Sequence, residues 1–283
     1  MAQEDAPLRH YVVLDFEATC DKPKAPEPHE IIEFPSVLLD AAGMDTKAEF
    51  ESFVRPTHHP TLTPFCTELT GIEQSQVDAA EAFPEVFKAH QAWLESHDLP
   101  ASPPPGESLS HAFLTCGDWD LQTMLPSQLA VTQPPIGFVP HAYRRWINIK
   151  RPFAAWNGTP VKNGMLGMLK ALDLELEGRH HRGIDDCRNI ARIARALVER
   201  GQKLEIDGEL PFSRYPPLPL VLQFGEERQE VVLKKRSMAT LIGLASSTFR
   251  RQAQKIHIGE EERVLLKAKS LLDLHTATVL YIS

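Results

Sequence analysis

Residues 11–20 read YVVLDFEATC, an apolar run that carries Asp15 and Glu17 in its middle. The alternation and the Val, Leu and Phe content predict a β-strand over Tyr11–Cys20. Residues i and i+2 of a strand project from one face, so the two carboxylates point the same way. Carboxylates are rarely buried without a partner, and two on one face repel unless a cation sits between them. The stretch is therefore either a strand end with solvated acids or a pair of hard-oxygen metal ligands.

The rest of the 283-residue chain frames that choice. With 42% hydrophobic and 24% charged residues it has the composition of a soluble globular protein. No apolar run reaches the ~18–20 residues of a membrane helix, which argues against a membrane partner. The start, MAQEDAPLRH, is polar and acidic and does not read as a secretory signal. Cys20, Cys66, Cys116 and Cys187 form no CxxC pair, which predicts reduced packing thiols in a cytoplasmic protein. The net charge of −8 argues against a passive nucleic-acid binder. The charge is uneven: residues 218–283 hold 10 Lys+Arg against 7 Asp+Glu, leaving 20 against 31 upstream. An acidic cluster that holds divalent cations reconciles the upstream excess with a polyanionic substrate.

Further strands are expected at 29–40 and 48–56, as antiparallel partners, and at 109–120, ending at Gly117. Helices are expected at 83–97, 165–176 and 184–201. The last has Ile184, Cys187, Ala191, Ala194 and Val198 at helical spacing and Gly201 to stop it. The stretch GFVPHAYRRWINIK leads into irregular structure. QKLEIDGELPFSRYPPLP is Pro-rich and without period, as a linker would be. This predicts a first domain over 1–205, a linker over 206–217 and a small α+β domain over 218–283. The ββαββ order of the last would suit a β-grasp-like fold.

Two more acidic motifs accompany Asp15 and Glu17. GDWD closes the fourth strand at 117–120, and HHRGIDD opens the last helix of the first domain at 180–186. Four carboxylates and one histidine from three separated segments suit two-metal phosphoryl hydrolysis, with two divalent ions clamping the attacking and leaving oxygens. Oxygen ligands favour Mg²⁺ or Mn²⁺ over zinc. A histidine with an unperturbed pKa of ~6.5 suits proton removal from water.

DFEATC, then Trp-Asp, then His-x-Gly-x-Asp-Asp, in that order, resembles the DEDDh 3′-to-5′ exonucleases. The stretches FCTELTGIEQSQV, RRWINIK and GRHHRGIDDCRNIARIARAL extend the likeness to the enhanced-RNAi-type, histone-messenger 3′-end exoribonuclease branch, over roughly residues 9–201. The resemblance implies an α/β RNase H-like mixed sheet flanked by helices. It implies metal ligation by Asp15, Glu17, Asp120 and Asp186, two Mg²⁺ or Mn²⁺ ions, and His181 as general base. The family acid directly follows the aromatic, which favours Asp120 over Asp118. The family pattern favours His181 and Asp186 over the equally spaced His180 and Asp185.

The activity implied is release of nucleoside 5′-monophosphates from the 3′ end of RNA, either single-stranded or overhanging. Ala18, Thr19 and Trp119 are expected substrate contacts. DNA or very short oligonucleotides are the alternative substrates, and an inactive binding scaffold is the alternative role. The C-terminal domain lies outside the resemblance. Its KKR (234–236) and FRRQAQK (249–255) stretches suggest an RNA contact, with a protein partner as the other option.

Overall fold

The computed structural model describes residues 7–104, 107–160, 162–250, 253, 255–258, 264–265, 274 and 278–282. The chain divides into two compact units. One comprises 1–128 and 140–209, and the other 129–139 and 210–283.

In the first unit, β1 (His10–Leu14) is a central strand. Neighbours pair with it on both edges, and its apolar side chains are buried, with Tyr11 and Val13 under Cys187, Ile190 and Ala194. After Leu14 the strand breaks, and a short β2 (Glu17–Ala18) resumes it. The expected single strand is interrupted because the Phe16 N–H leaves the ladder and donates to the Asp120 carboxylate at 3.0 Å. β3 (Ile31–Asp40) pairs antiparallel with β1, Val12 opposite Leu38, and β4 (Thr46–Phe53) pairs antiparallel with β3.

Three helices follow: α1 (Pro64–Thr70), α2 (Gln74–Asp78) and α3 (Phe83–Glu95). β5 (His111–Thr115) then returns parallel to β1, with Phe113 opposite Val12. A π-helical turn, Asp120–Met124, leads into α4 (Leu125–Val131).

GFVPHAYRRWINIK, for which no element is expected, holds β6 (Arg145–Asn148) and the first residue of α5 (Lys150–Asn157). β6 is parallel to β5, with Leu114 opposite Ile147. At four residues and almost wholly buried, it shows no alternation to read.

α6 (Gly164–Ala171) stops short of the expected 176. Asp173 takes φ +59°, and the Leu174 N–H reaches back to the Leu169 carbonyl at 2.9 Å, a Schellman-type end without glycine. α7 (Gly183–Glu199) buries Ile184, Cys187, Ala191 and Ala194 against Val13, Val37 and Leu114. The expected linker contains β7 (Gly208–Glu209), which pairs antiparallel with β6. The sheet order is β2-β3-β1-β5-β6-β7, with β4 on β3. This mixed sheet with flanking helices is the expected RNase H-like architecture.

The second unit holds β8 (Leu218–Phe224), β9 (Glu227–Leu233), α8 (Met238–Phe249), β10 (Ile256–Ile258), β11 (Val264–Leu265) and β12 (Thr278–Ile282). Their order is β11-β10-β12-β8-β9, and the first and last strands, β8 and β12, run parallel side by side. Leu218, Leu220, Leu222, Leu241, Ala245 and Leu280 form its core. The short β10 is additional to the ββαββ expectation. β11 falls inside the expected strand ERVLLKAK, whose other residues, with 251, 252 and 254 of the FRRQAQK stretch, lie outside the described residues. No described helix is long and apolar enough to cross a membrane.

Candidate metal centre

β1 and β5 run parallel, so their carboxyl ends share one edge of the sheet. Ligand sites of open α/β sheets form at that edge. Asp15 follows β1 directly, and Asp120 follows β5 after the Gly117 turn. Ligand oxygens of Asp15, Glu17 and Asp186 lie within 4.8 Å of one another. Asp120 is tied to the same spot by the Phe16 N–H, one residue from each of the first two acids.

Asp186 arrives on α7, and the placement of that helix is specific. The buried Glu33 carboxylate of β3 accepts the Gly183 and Ile184 N–H groups at 3.0 and 3.1 Å, satisfying donors of the helix's first turn. Arg182 pairs with the same carboxylate at 3.3 Å. A β-carbon on Gly183 would sit 2.8 Å from the Asp15 carbonyl oxygen, so only glycine allows this approach. The glycine of His-x-Gly-x-Asp-Asp is thus what brings Asp186 to Asp15.

The electrostatics are those of crowded like charges. Burial raises the Asp15 carboxyl well above the usual range, Asp120, Asp186 and Glu33 raise it further, and Lys150 opposes them. Burial, then Asp15, Asp186, Glu33 and Asp120, push Glu17 up to about 10. Asp120 is pushed up to about 6 by burial, against the Phe16 N–H, its own N–H and Lys150. Burial also raises Asp186, against His180 and the His181 N–H. Oxygen ligands in mutual repulsion fit hard divalent cations, which would be held by Asp15, Glu17 and Asp186, with Asp120 beside them.

The two histidines occupy different places. The His180 Nδ1 lies 3.1 Å from one Asp186 oxygen and 3.3 Å from the other. His181 donates its backbone N–H to Asp186 at 2.9 Å, takes φ +65°, and stacks its ring on His180 with centroids 3.9 Å apart. Burial and His180 lower the His181 pKa, so its imidazole is neutral at pH 7.

Of the expected substrate contacts, Trp119 is 43% exposed beside Asp120, free to meet a base rather than packed in the core. Ala18 is partly exposed on β2. Thr19 is buried, and its hydroxyl accepts the Glu30 N–H at 3.0 Å.

Lys150 and Glu33 were not singled out in the sequence. Lys150 follows β6, which is parallel to β1 and β5, so its charge falls at the same sheet edge as Asp15 and Asp120. Its Nζ lies 3.3 Å from where a Gly117 β-carbon would stand. Recognising WINIK as a third parallel strand followed by a cation would have found it.

The family model described as "Exonuclease" (RNase_T) matches residues 12–194, which include all five catalytic candidates. ERI1 exoribonuclease 3 of Homo sapiens is 44% identical over 192 residues, covering 68% of this chain and 54% of that protein. The 3′-5′ exoribonuclease 1 of Homo sapiens is 36% identical over 208 residues, covering 73% and 57%. The chain thus spans about half the length of these curated relatives. Among solved structures, the nuclease domain of 3′hExo, a DEDDh family member bound to rAMP, is 35% identical with TM-score 0.66, covering 73% of this chain and 100% of that one. A 3′-exonuclease solved for its recognition of the histone mRNA stem-loop is 31% identical with TM-score 0.64, covering 80% and 72%. The chain belongs to the exonuclease family.

Proposed function

We propose that this member of the exonuclease family trims RNA from the 3′ end and releases nucleoside 5′-monophosphates. The observation that carries the reading is the convergence of Asp15, Glu17 and Asp186 within 4.8 Å, with Asp120 and the His180–His181 loop alongside. The relatives named exoribonucleases support RNA as the substrate.

Two Mg²⁺ or Mn²⁺ ions, held by the four carboxylates, would supply charge neutralisation at the attacking and leaving oxygens. The chain's own residues do the rest. His181, neutral at pH 7, takes the proton of the attacking water on its imidazole. The water oxygen bonds to the terminal phosphorus as the bond to the neighbouring 3′ oxygen breaks. The exposed Trp119 ring offers a base a stacking face, worth about 1–3 kcal/mol. The Ala18 and Thr19 backbone lines the approach of the last nucleotide.

The central parallel pair β8/β12 supports a β-grasp-type reading of the C-terminal unit, as a module for RNA or a protein partner. The free thiols support a reducing, cytoplasmic setting.

The test is incubation of purified protein and Mg²⁺ with end-labelled single-stranded RNA, matched DNA and a dinucleotide. RNA shortening from the 3′ end that Asp15→Ala abolishes is the expected result. Equal rates with Asp15→Ala would overturn the reading. Faster cleavage of DNA or of the dinucleotide would reassign the substrate.

A further inference from the structure

Cys20 and Cys66 play no part in the acidic site, yet they face each other beside it. Their thiols hydrogen-bond to one another. One side chain clamps them together: the Thr63 hydroxyl donates to the Cys20 carbonyl at 2.7 Å and accepts the Cys66 N–H at 3.0 Å. Cys66 Sγ also lies 3.8 Å from the carbonyl oxygen of Ala18, the residue after Glu17. Both cysteines line a cavity of about 70 Å³, together with Thr19, His59 and Thr63. A site needs only ~10–15 Å³ to admit one water, so an oxidant the size of hydrogen peroxide fits.

We propose that Cys20 and Cys66 form a thiol-oxidation site that closes to a disulfide under hydrogen peroxide and lowers activity by fixing the Glu17–Ala18 segment to α1. The chemistry balances within the pair. The Cys66 thiolate attacks one peroxide oxygen, the O–O bond breaks, and Cys66 becomes a sulfenic acid with release of hydroxide. The Cys20 sulfur then attacks the Cys66 sulfur, and the sulfenic hydroxyl leaves with the Cys20 proton as water. The sulfurs lose two electrons and the peroxide gains them.

The order of attack follows from the environment. The hydrogen bond from Cys20 holds the Cys66 thiol down at about 7, against burial, so much of it is thiolate at neutral pH. The same bond, with burial, pushes the Cys20 thiol up. Burial pushes Cys116 up to about 12 and raises Cys187, so those two stay thiols. Cytosolic disulfides of this kind are transient and redox-sensing rather than structural.

The new bond occupies the Cys66 sulfur that now meets the Ala18 carbonyl, and so acts on the backbone that carries Glu17. A misplacement of ~1 Å at a catalytic group costs up to ~10²-fold.

The test is treatment of the whole chain with hydrogen peroxide, non-reducing peptide mapping by mass, and RNA trimming before and after dithiothreitol. A Cys20–Cys66 linked peptide two hydrogens lighter, with activity down about tenfold and restored by the reductant, is expected. Cys20→Ser and Cys66→Ser should give no link and keep their activity in peroxide. Unreacted thiols, or higher oxides without a link, would overturn the proposal. A link with unchanged trimming would overturn its effect on activity. The activity arm rests on the exonuclease reading. If the reduced protein trims nothing, that reading fails, while the linked peptide still decides the thiol chemistry.

Discussion

The Glu33 carboxylate accepts the Gly183 N–H at 3.0 Å, across 150 residues of sequence. Through this contact a strand on one side of the sheet sets where α7 begins, and so where Asp186 stands. Glu33→Ala leaves the Gly183 and Ile184 donors without their partner and Arg182 with Glu51 alone of its two carboxylates, a loss on the order of 3 kcal/mol. Chemical denaturation should show it, with Glu33→Gln losing less. Gly183→Ala, whose methyl would meet the Asp15 carbonyl, should lower kcat more than stability.

Asp15→Asn should abolish RNA trimming and yet raise Tm in EDTA, because it removes a charge that its neighbours repel. Added Mg²⁺ should raise the Tm of the wild type and leave the variant little changed. Differential scanning fluorimetry with and without the metal reads both effects.

The pH dependence follows from the raised carboxyls. A folded pKa above the unfolded value means the folded state binds more protons, so this contribution grows as pH falls. For Glu17 the window runs from about 10 down to the ordinary carboxyl value of 4.5. Metal binding needs the deprotonated forms, so half-saturating Mg²⁺ should decrease as pH rises from 6 to 9. Titration of activity with Mg²⁺ at each pH is the check.

Lys150→Met removes a cation that lowers both Asp15 and Asp120. Its pH–rate profile should shift to higher pH. A protein in which Lys150 serves only in packing would keep the wild-type profile.

His111 is buried at the start of β5, and neither ring nitrogen finds a hydrogen-bond partner among the described residues. Burial lowers its pKa to about 4, so the unfolded chain takes up a proton below ~6.5 that the folded state refuses. Stability is lost as pH falls from about 6.5 to 4, by on the order of 2–3 kcal/mol. His111→Leu should raise Tm at pH 5 more than at pH 7.

The acids were legible because their chemistry is local: Asp15 and Glu17 share a strand face, and Asp186 sits at a fixed step from Gly183. Lys150 and Glu33 were not, since each acts only across the sheet. Lys150 was hidden behind a strand too short to show a period. The structure also separates the neighbouring histidines in a way spacing does not, with the ring of His180 on Asp186 and that of His181 stacked over it. His181→Ala should cost about 10²–10⁴-fold in rate, and His180→Ala less.

The bond from Phe16 to Asp120 spans 104 residues, and that from Gly183 to Glu33 spans 150. Chains are made from the N-terminus at ~5–20 residues per second. A growing chain therefore carries Asp15, Glu17 and Asp120 for seconds before Asp186 and the histidines leave the ribosome. Throughout that interval the cluster lacks Asp186 and both histidines, so it is completed only when the start of α7 arrives.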